Sequence, residues 1–281
     1  MRNVFCGVFV CVLTAMLSLW AVDAEAYDFK SGSLCYTIVS KTERTVEVAY
    51  NAQTKPANKV VVPSEVSYQN KKWTVIGLGT DAFYGCKKMT ELVLPRTLKY
   101  IAGGALEECH ALRKLTLPPG VTLRNYALRN CGLSTLRVPG SAKWSGRFWA
   151  QLANIPKVTS IVLEEGMEKI PDAAFQYDGQ LEHLTLPTSL KYIGRYAFVG
   201  CKSLRRLDIP RGVVSMGRLV DFGELNLQEI HVHWTEPISI AANTFPLEVY
   251  EKAVLYIPKE TKWKYRASVG WSRFRNIEEV E

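Results

Sequence analysis

The side chains with the most chemical reach are cysteines and histidines. Past residue 26 the chain holds Cys35, Cys86, Cys109, Cys131 and Cys201, and its histidines include His183, His231 and His233. Thiolates and imidazoles are metal ligands, nucleophiles and general bases, but each role needs partners at defined spacing. No Cys-x-x-Cys pair occurs. His231-Val-His233 puts two imidazoles on one face of a strand, where a zinc site needs three or four ligands. There is no HExxH, no GxSxG and no glycine-rich phosphate loop in a strand-to-helix setting. The carboxylates are numerous but pair in no recognisable cleft. Neither an enzymatic activity nor a cofactor or metal is therefore expected.

Four of the five cysteines share something else, a position in a repeat. Leu112-Arg-Lys-Leu115-Thr-Leu117-Pro118 and Leu181-Glu-His-Leu184-Thr-Leu186-Pro187 have close copies at Met89–Pro95, Leu133–Pro139, Val158–Leu163, Leu204–Pro210 and Leu227–Val232. Their last apolar residues stand at 94, 117, 138, 163, 186, 209 and 232, so the steps are 23, 21, 25, 23, 23 and 23. Alternating apolar residues share one face of a short strand. A unit of this length cannot bury that face alone, but stacked units form a continuous core and a parallel ladder. Proline lacks an N–H and suits the strand end. The other half of the unit is as regular. Leu98-Lys-Tyr-Ile101…Ala105-Leu106-Glu-Glu-Cys109 matches Leu190-Lys-Tyr-Ile193…Ala197-Phe198-Val-Gly-Cys201. It should return the chain on the convex side with a helical turn near Ala-Phe. Buried cysteine behaves as a small hydrophobe, so a reduced, packed series is expected.

The pattern LxxLxLPxxLxxIxxxAFxxC resembles the Treponema-type, or BspA-like, class of bacterial surface leucine-rich repeats. The resemblance covers roughly residues 79–246. It implies an α/β repeat solenoid, a right-handed leucine-rich repeat coil with a parallel strand ladder. It also implies export, surface exposure and a binding role such as adhesion, and it carries no catalytic residues. The match lapses between Pro139 and Pro156, where Trp144, Phe148 and Trp149 replace the usual LxxI…AFxxC half. It lapses again after Pro210.

Residues 1–26 read as a secretory leader: Arg2, an uncharged run from Val4 to Val22, then Ala24-Glu25-Ala26. An uncleaved anchor is the alternative, and both place the body outside the cytoplasm. Residues 27–78 read as a β cap with a degenerate first rung. Residues 247–281 read as a strand followed by an amphipathic helix carrying Trp263, Ala267, Trp271 and Phe274 on one face. The formal charge is +8, and loss of Arg2, Asp23 and Glu25 with the leader makes it +8 − 1 + 2 = +9.

Binding is expected on the concave face, where side chains beside the LxL residues point outward. There Lys114, Arg137, His183 and Arg206 form a partly basic stripe, with Asp208 and His231 beside it. Trp144 and Trp149 of the irregular segment are a second candidate. The chain is expected to be a secreted, cell-surface or periplasmic module that binds a protein or glycoprotein ligand, on a host or neighbouring cell. A glycan-binding accessory protein is the alternative, with the irregular aromatics as stacking groups. A nucleic-acid partner is not expected, and the oligomeric state is left open.

Overall fold

The structure is a computed structural model describing residues 27–52, 56, 58–145, 152–218 and 225–281. The expected leader falls outside these residues, as do Phe148 and Trp149. The chain winds as a solenoid of parallel strands with little helix.

The LxL residues form the main ladder. Asn58–Val61, Met89–Val93 and Lys114–Leu115 pair in parallel. So do Thr135–Val138, Ser160–Leu163 and His183–Thr185. Arg206–Ile209, Glu229–Val232, Val254–Pro258 and Asn276–Val280 complete it. Two seams separate these three blocks, after Leu115 and after Thr185. Leu92, Leu136, Ile161, Leu207 and Ile230 are buried. Leu115 and Leu184 occupy the same position immediately before the seams and are only half-buried. Loss of the next strand's close approach uncovers them.

The return half also forms a ladder, which the repeat pattern had not shown. Gly77-Leu78 pairs with Tyr100–Ile101, which pairs with Thr122–Leu123 and then Lys143–Trp144. A second run joins Lys169–Ile170, Tyr192–Ile193 and Ser215–Met216. The break between the runs is crossed by a side chain: the Trp144 indole N–H donates to the Lys169 carbonyl at 3.2 Å. Seams in the two ladders are staggered. Where the LxL ladder is interrupted the second is continuous, and Thr135–Val138 pairs with Ser160–Leu163 where the second is broken.

Between the ladders, a turn stands where a helical turn was expected. Five of the turns show two left-handed positions, and a sixth shows the second of them at Asn154. One precedes the alanine (Asp81, Gly104, Tyr126, Ala173, Tyr196), and the other lies two residues past the Phe or Leu (Gly85, Glu108, Asn130, Asn154, Tyr177, Gly200). Positive φ at both ends of so short a stretch excludes continuous α-helix. The turns still stack, because the Phe83 and Gly85 N–H groups donate to the Ala105 and Glu107 carbonyls one rung on. Phe175 and Tyr177 repeat the pattern on Ala197 and Val199.

The cysteines lie in this stack. All five are buried, and no disulfide forms among the described residues. The thiols of Cys109, Cys131 and Cys201 donate to the carbonyls of Phe83, Leu106 and Phe175 on the preceding rung, at 3.1, 3.0 and 3.1 Å. They therefore aim at backbone rather than at each other.

At the amino end, Phe29–Ser31, Leu34–Ser40 and Thr45–Ala49 form an antiparallel meander. Thr45–Ala49 then pairs in parallel with Lys71–Leu78, itself hairpinned to Glu65–Tyr68. At the carboxyl end the expected single helix is not found. Helices of six residues, Leu247–Lys252 and Lys262–Ala267, are followed by a 3-10 turn at Trp271–Arg273 and the last strand. The second helix ends where Ser268 turns extended (φ −91°, ψ 124°), and Gly270 beyond it packs so closely that a Cβ would lie 2.4 Å from the Ile240 side chain. Trp271 and Phe274 are buried as expected, but Trp263 is 69% exposed. Trp234, Phe245, Tyr250 and Tyr265 join Trp271 and Phe274 in a cluster with ring centroids 4.8–6.1 Å apart.

Candidate functional site on the strand ladder

The alternation of each LxL strand sends every second side chain away from the core, and parallel pairing aligns those residues from rung to rung. Lys59, Glu91 and Lys114 come into line, with Glu91 3.3 Å from both ammonium groups. Hydrogen bonds from Lys59 and then Lys114 hold the Glu91 carboxyl below the usual carboxylate range. Arg137 meets Glu164 at 3.0 Å. His183 lies 4.0 Å from Glu182. Arg206 reaches Asp208 at 3.6 Å and Glu229 at 3.5 Å.

The basic stripe is thus a chequered one. Lys114, Arg137 and Arg206 each have a carboxylate within ion-pairing distance and His183 lies beside one, a pairing that counting outward bases rung by rung leaves out of view. Exposed pairs of this kind contribute roughly 0–1 kcal/mol each to stability. What they fix is the position of each charge.

The densest cluster is at the carboxyl-terminal block. His231 contacts Glu229 at 3.2 Å and stacks on Tyr256 with centroids 4.4 Å apart. His233 contacts Asp208 at 2.7 Å. Arg206, Asp208 and His231 are therefore brought together as the sequence suggested, whereas Lys114, Arg137 and His183 lie on other rungs. Glu229 and His233 are the members that ordering by charge passes over. The outward alternation of Glu229–Val232, continued by one residue, puts both on the face of His231, as the spacing of His231-Val-His233 implies. No group of three or more His, Cys, Asp or Glu side chains among the described residues is arranged to hold a metal ion.

Beside this cluster the second seam opens a cleft of about 630 Å³. Its floor is Leu184, Leu186 and Pro210, and its rim carries Thr185, Asp208, Arg211 and His233. An apolar floor with a few convergent polar groups is the usual make-up of a binding pocket, and the volume falls in the ordinary range of roughly 300–1,000 Å³. The exposure of Leu184 and Leu186 is the signal that sequence could not give, because both match the repeat consensus.

Trp144, the other candidate, is half-buried and packs against the core with its N–H engaged at Lys169. It fills and bridges the irregular rung. Trp149 lies outside the described residues.

The BspA type leucine rich repeat region matches this chain in six copies over residues 76–177 and 150–247. No curated protein matches it. Among solved structures, a leucine-rich repeat protein from Bacteroides ovatus is 20% identical, with 90% of this chain and 77% of that chain covered and a TM-score of 0.41. A T. pallidum leucine-rich repeat protein is 22% identical, covering 63% and 90%, with a TM-score of 0.44. A leucine rich cell surface protein from Faecalibacterium prausnitzii is 12% identical, covering 90% and 94%, with a TM-score of 0.30.

Proposed function

Since this chain belongs to the BspA-type leucine-rich repeat family, we propose that it is an exported, non-catalytic binding module whose ligand is a protein. The surface it offers is the outward face of the LxL ladder, centred on the second seam. The observation that carries this reading is the cleft over Leu184 and Leu186 beside the Arg206–Asp208–His233 cluster. An apolar anchor from a partner fits its floor, while charges fixed on neighbouring rungs set orientation and specificity. Rigid placement of these groups on strands lowers the ordering cost of association. The leader-like sequence at residues 1–26 and the family's surface role support a location at the cell surface or in the medium. Adhesion to a host or neighbouring cell is the process this arrangement suits.

The test has two arms. Protease shaving of intact cells should release fragments of this chain while cytoplasmic proteins stay whole. The mature protein should then bind members of a panel of extracellular matrix and cell-surface glycoproteins. Thr185→Arg and Arg211→Glu, both at exposed positions, should weaken capture at least tenfold without moving the melting temperature. Capture insensitive to both substitutions would place the binding face elsewhere. The glycan alternative loses part of its support, because Trp144 spends its polar atom and part of its ring on packing.

A further inference from the structure

On the ladder face nearly every base meets an acid, and the amino-terminal meander breaks that rule. The turn between Leu34–Ser40 and Thr45–Ala49 carries Lys41 and Arg44, and the turn between Glu65–Tyr68 and Lys71–Leu78 leads into Lys71. The two turns meet around a pocket of about 330 Å³, to which all three cations contribute. None has an ion-pair partner among the described residues, in contrast to Lys59, Lys114, Arg137 and Arg206. The lining also carries one acid, Asp28, whose carboxylate accepts the Ile38 N–H at 2.6 Å and offsets part of this charge.

The pocket is also stiff. Arg44, Gln69 and Asn70 all have positive φ. The Arg44 carbonyl accepts the Thr74 N–H at 2.9 Å. Tyr68 stacks on Phe29 with centroids 4.1 Å apart and planes within 6°. The Trp73 indole donates to the Tyr68 carbonyl. Three cations against one carboxylate leave the concavity with a positive excess, which a bound anion offsets. A guanidinium fork with two ammonium groups matches an oxyanion such as sulfate or phosphate. The half-buried Tyr68 and Ile38 add an apolar wall, against which the face of a sugar ring can rest.

We propose that this pocket is a second binding site, separate from the ladder face, for a sugar bearing sulfate or phosphate groups. It rests on the amino-terminal meander and the hairpin beside it, and does not require the protein-binding reading of the seam.

The experiment titrates the full mature protein with dextran sulfate, neutral dextran, a phosphorylated mannan and polyglutamate at two salt concentrations. Binding to dextran sulfate or the phosphorylated mannan is expected, and the stronger of the two names the oxyanion. Added salt should weaken it, because it screens exposed charges. Lys41→Ala/Arg44→Ala/Lys71→Ala should lower affinity at least thirtyfold. The charge-matched control Lys87→Ala/Lys88→Ala/Lys99→Ala should change it less than threefold, with circular dichroism of both variants unchanged. Equal loss in the two triple variants would reduce the effect to net charge and overturn the site. Equal binding of polyglutamate, or of neutral dextran, would overturn the ligand class. Thr185→Arg should leave this binding intact, which keeps it distinct from the ladder-face test.

Discussion

Asp178 stands where other turns carry Cys86, Cys109, Cys131 and Cys201, three residues past the Phe or Leu. Its Oδ1 accepts the Ile155 N–H at 2.7 Å, while its Oδ2 is buried without a hydrogen-bond partner. Burial pushes its pKa well above the ordinary carboxylate value, and the bonds from Ile155 and Asn154 only partly oppose this. The folded state therefore holds a proton that the unfolded chain gives up. Stability should fall as pH rises from about 4, the unfolded carboxylate value, toward the raised folded value. Asp178→Asn keeps an acceptor for Ile155 and cannot ionise. Its melting temperature relative to wild type should climb as pH is raised from 4 to 8, and a difference flat in pH would show that Asp178 is not the titrating group. A second residue-scale test concerns Tyr177, which is 57% exposed and has φ +65°. Gly85 and Gly200 hold the same turn position, so Tyr177→Gly should stabilise by up to about 1 kcal/mol, relief of left-handed strain outweighing glycine's entropy. A lower denaturation midpoint would mean that the ring contributes more than its exposure suggests.

At the scale of the element, the two ladders make different demands. The LxL strands bury alternate side chains, so Leu207→Ala should cost about 2–5 kcal/mol, as for a fully buried leucine. Leu186→Ala, at a half-buried position over the seam, should cost distinctly less. Equal costs in denaturant melts would mean that the cleft closes in solution. In the second ladder, Trp144→Phe removes the indole N–H that spans the break to Lys169 together with part of the half-buried ring. A loss of about 1–2 kcal/mol is expected from the hydrogen bond and the packing, with faster amide exchange in Lys169–Ile170. The LxL ladder was legible because its period is long, constant and written in buried leucines. The second ladder was not, because two-residue strands such as Tyr100–Ile101 carry too few positions for alternation to show. Turns in place of helix were hidden because Tyr126, Ala173 and Tyr196 are not residues that announce a left-handed backbone, although Gly85, Gly104, Asn130, Asn154 and Gly200 are. The carboxyl-terminal helix was misread because Trp263 and Trp271 keep helical spacing across Ser268, although the chain leaves the helix there. The seam went unseen because Leu184 and Leu186 fit the repeat like their neighbours.

For the whole molecule, coupling between neighbouring rungs governs stability, as in other solenoids. The aromatic cluster around Trp271 covers the last rungs. Deleting residues 259–281 should raise amide exchange first in Val254–Pro258 and Glu229–Val232, while the amino-terminal meander keeps its protection. A uniform loss of protection would show that the coil unfolds as one unit. The staggered seams have a mechanical consequence. At each interruption one ladder is open and the other is still hydrogen-bonded, so neighbouring blocks can rotate about the bonded side without separating. The pairing of Tyr192–Ile193 with Ser215–Met216 is then the hinge pin for the cleft over Leu184. The coil behaves as a row of stiff segments with compliant joints, and gripping a partner of slightly different girth would require bending at a joint rather than breaking a strand.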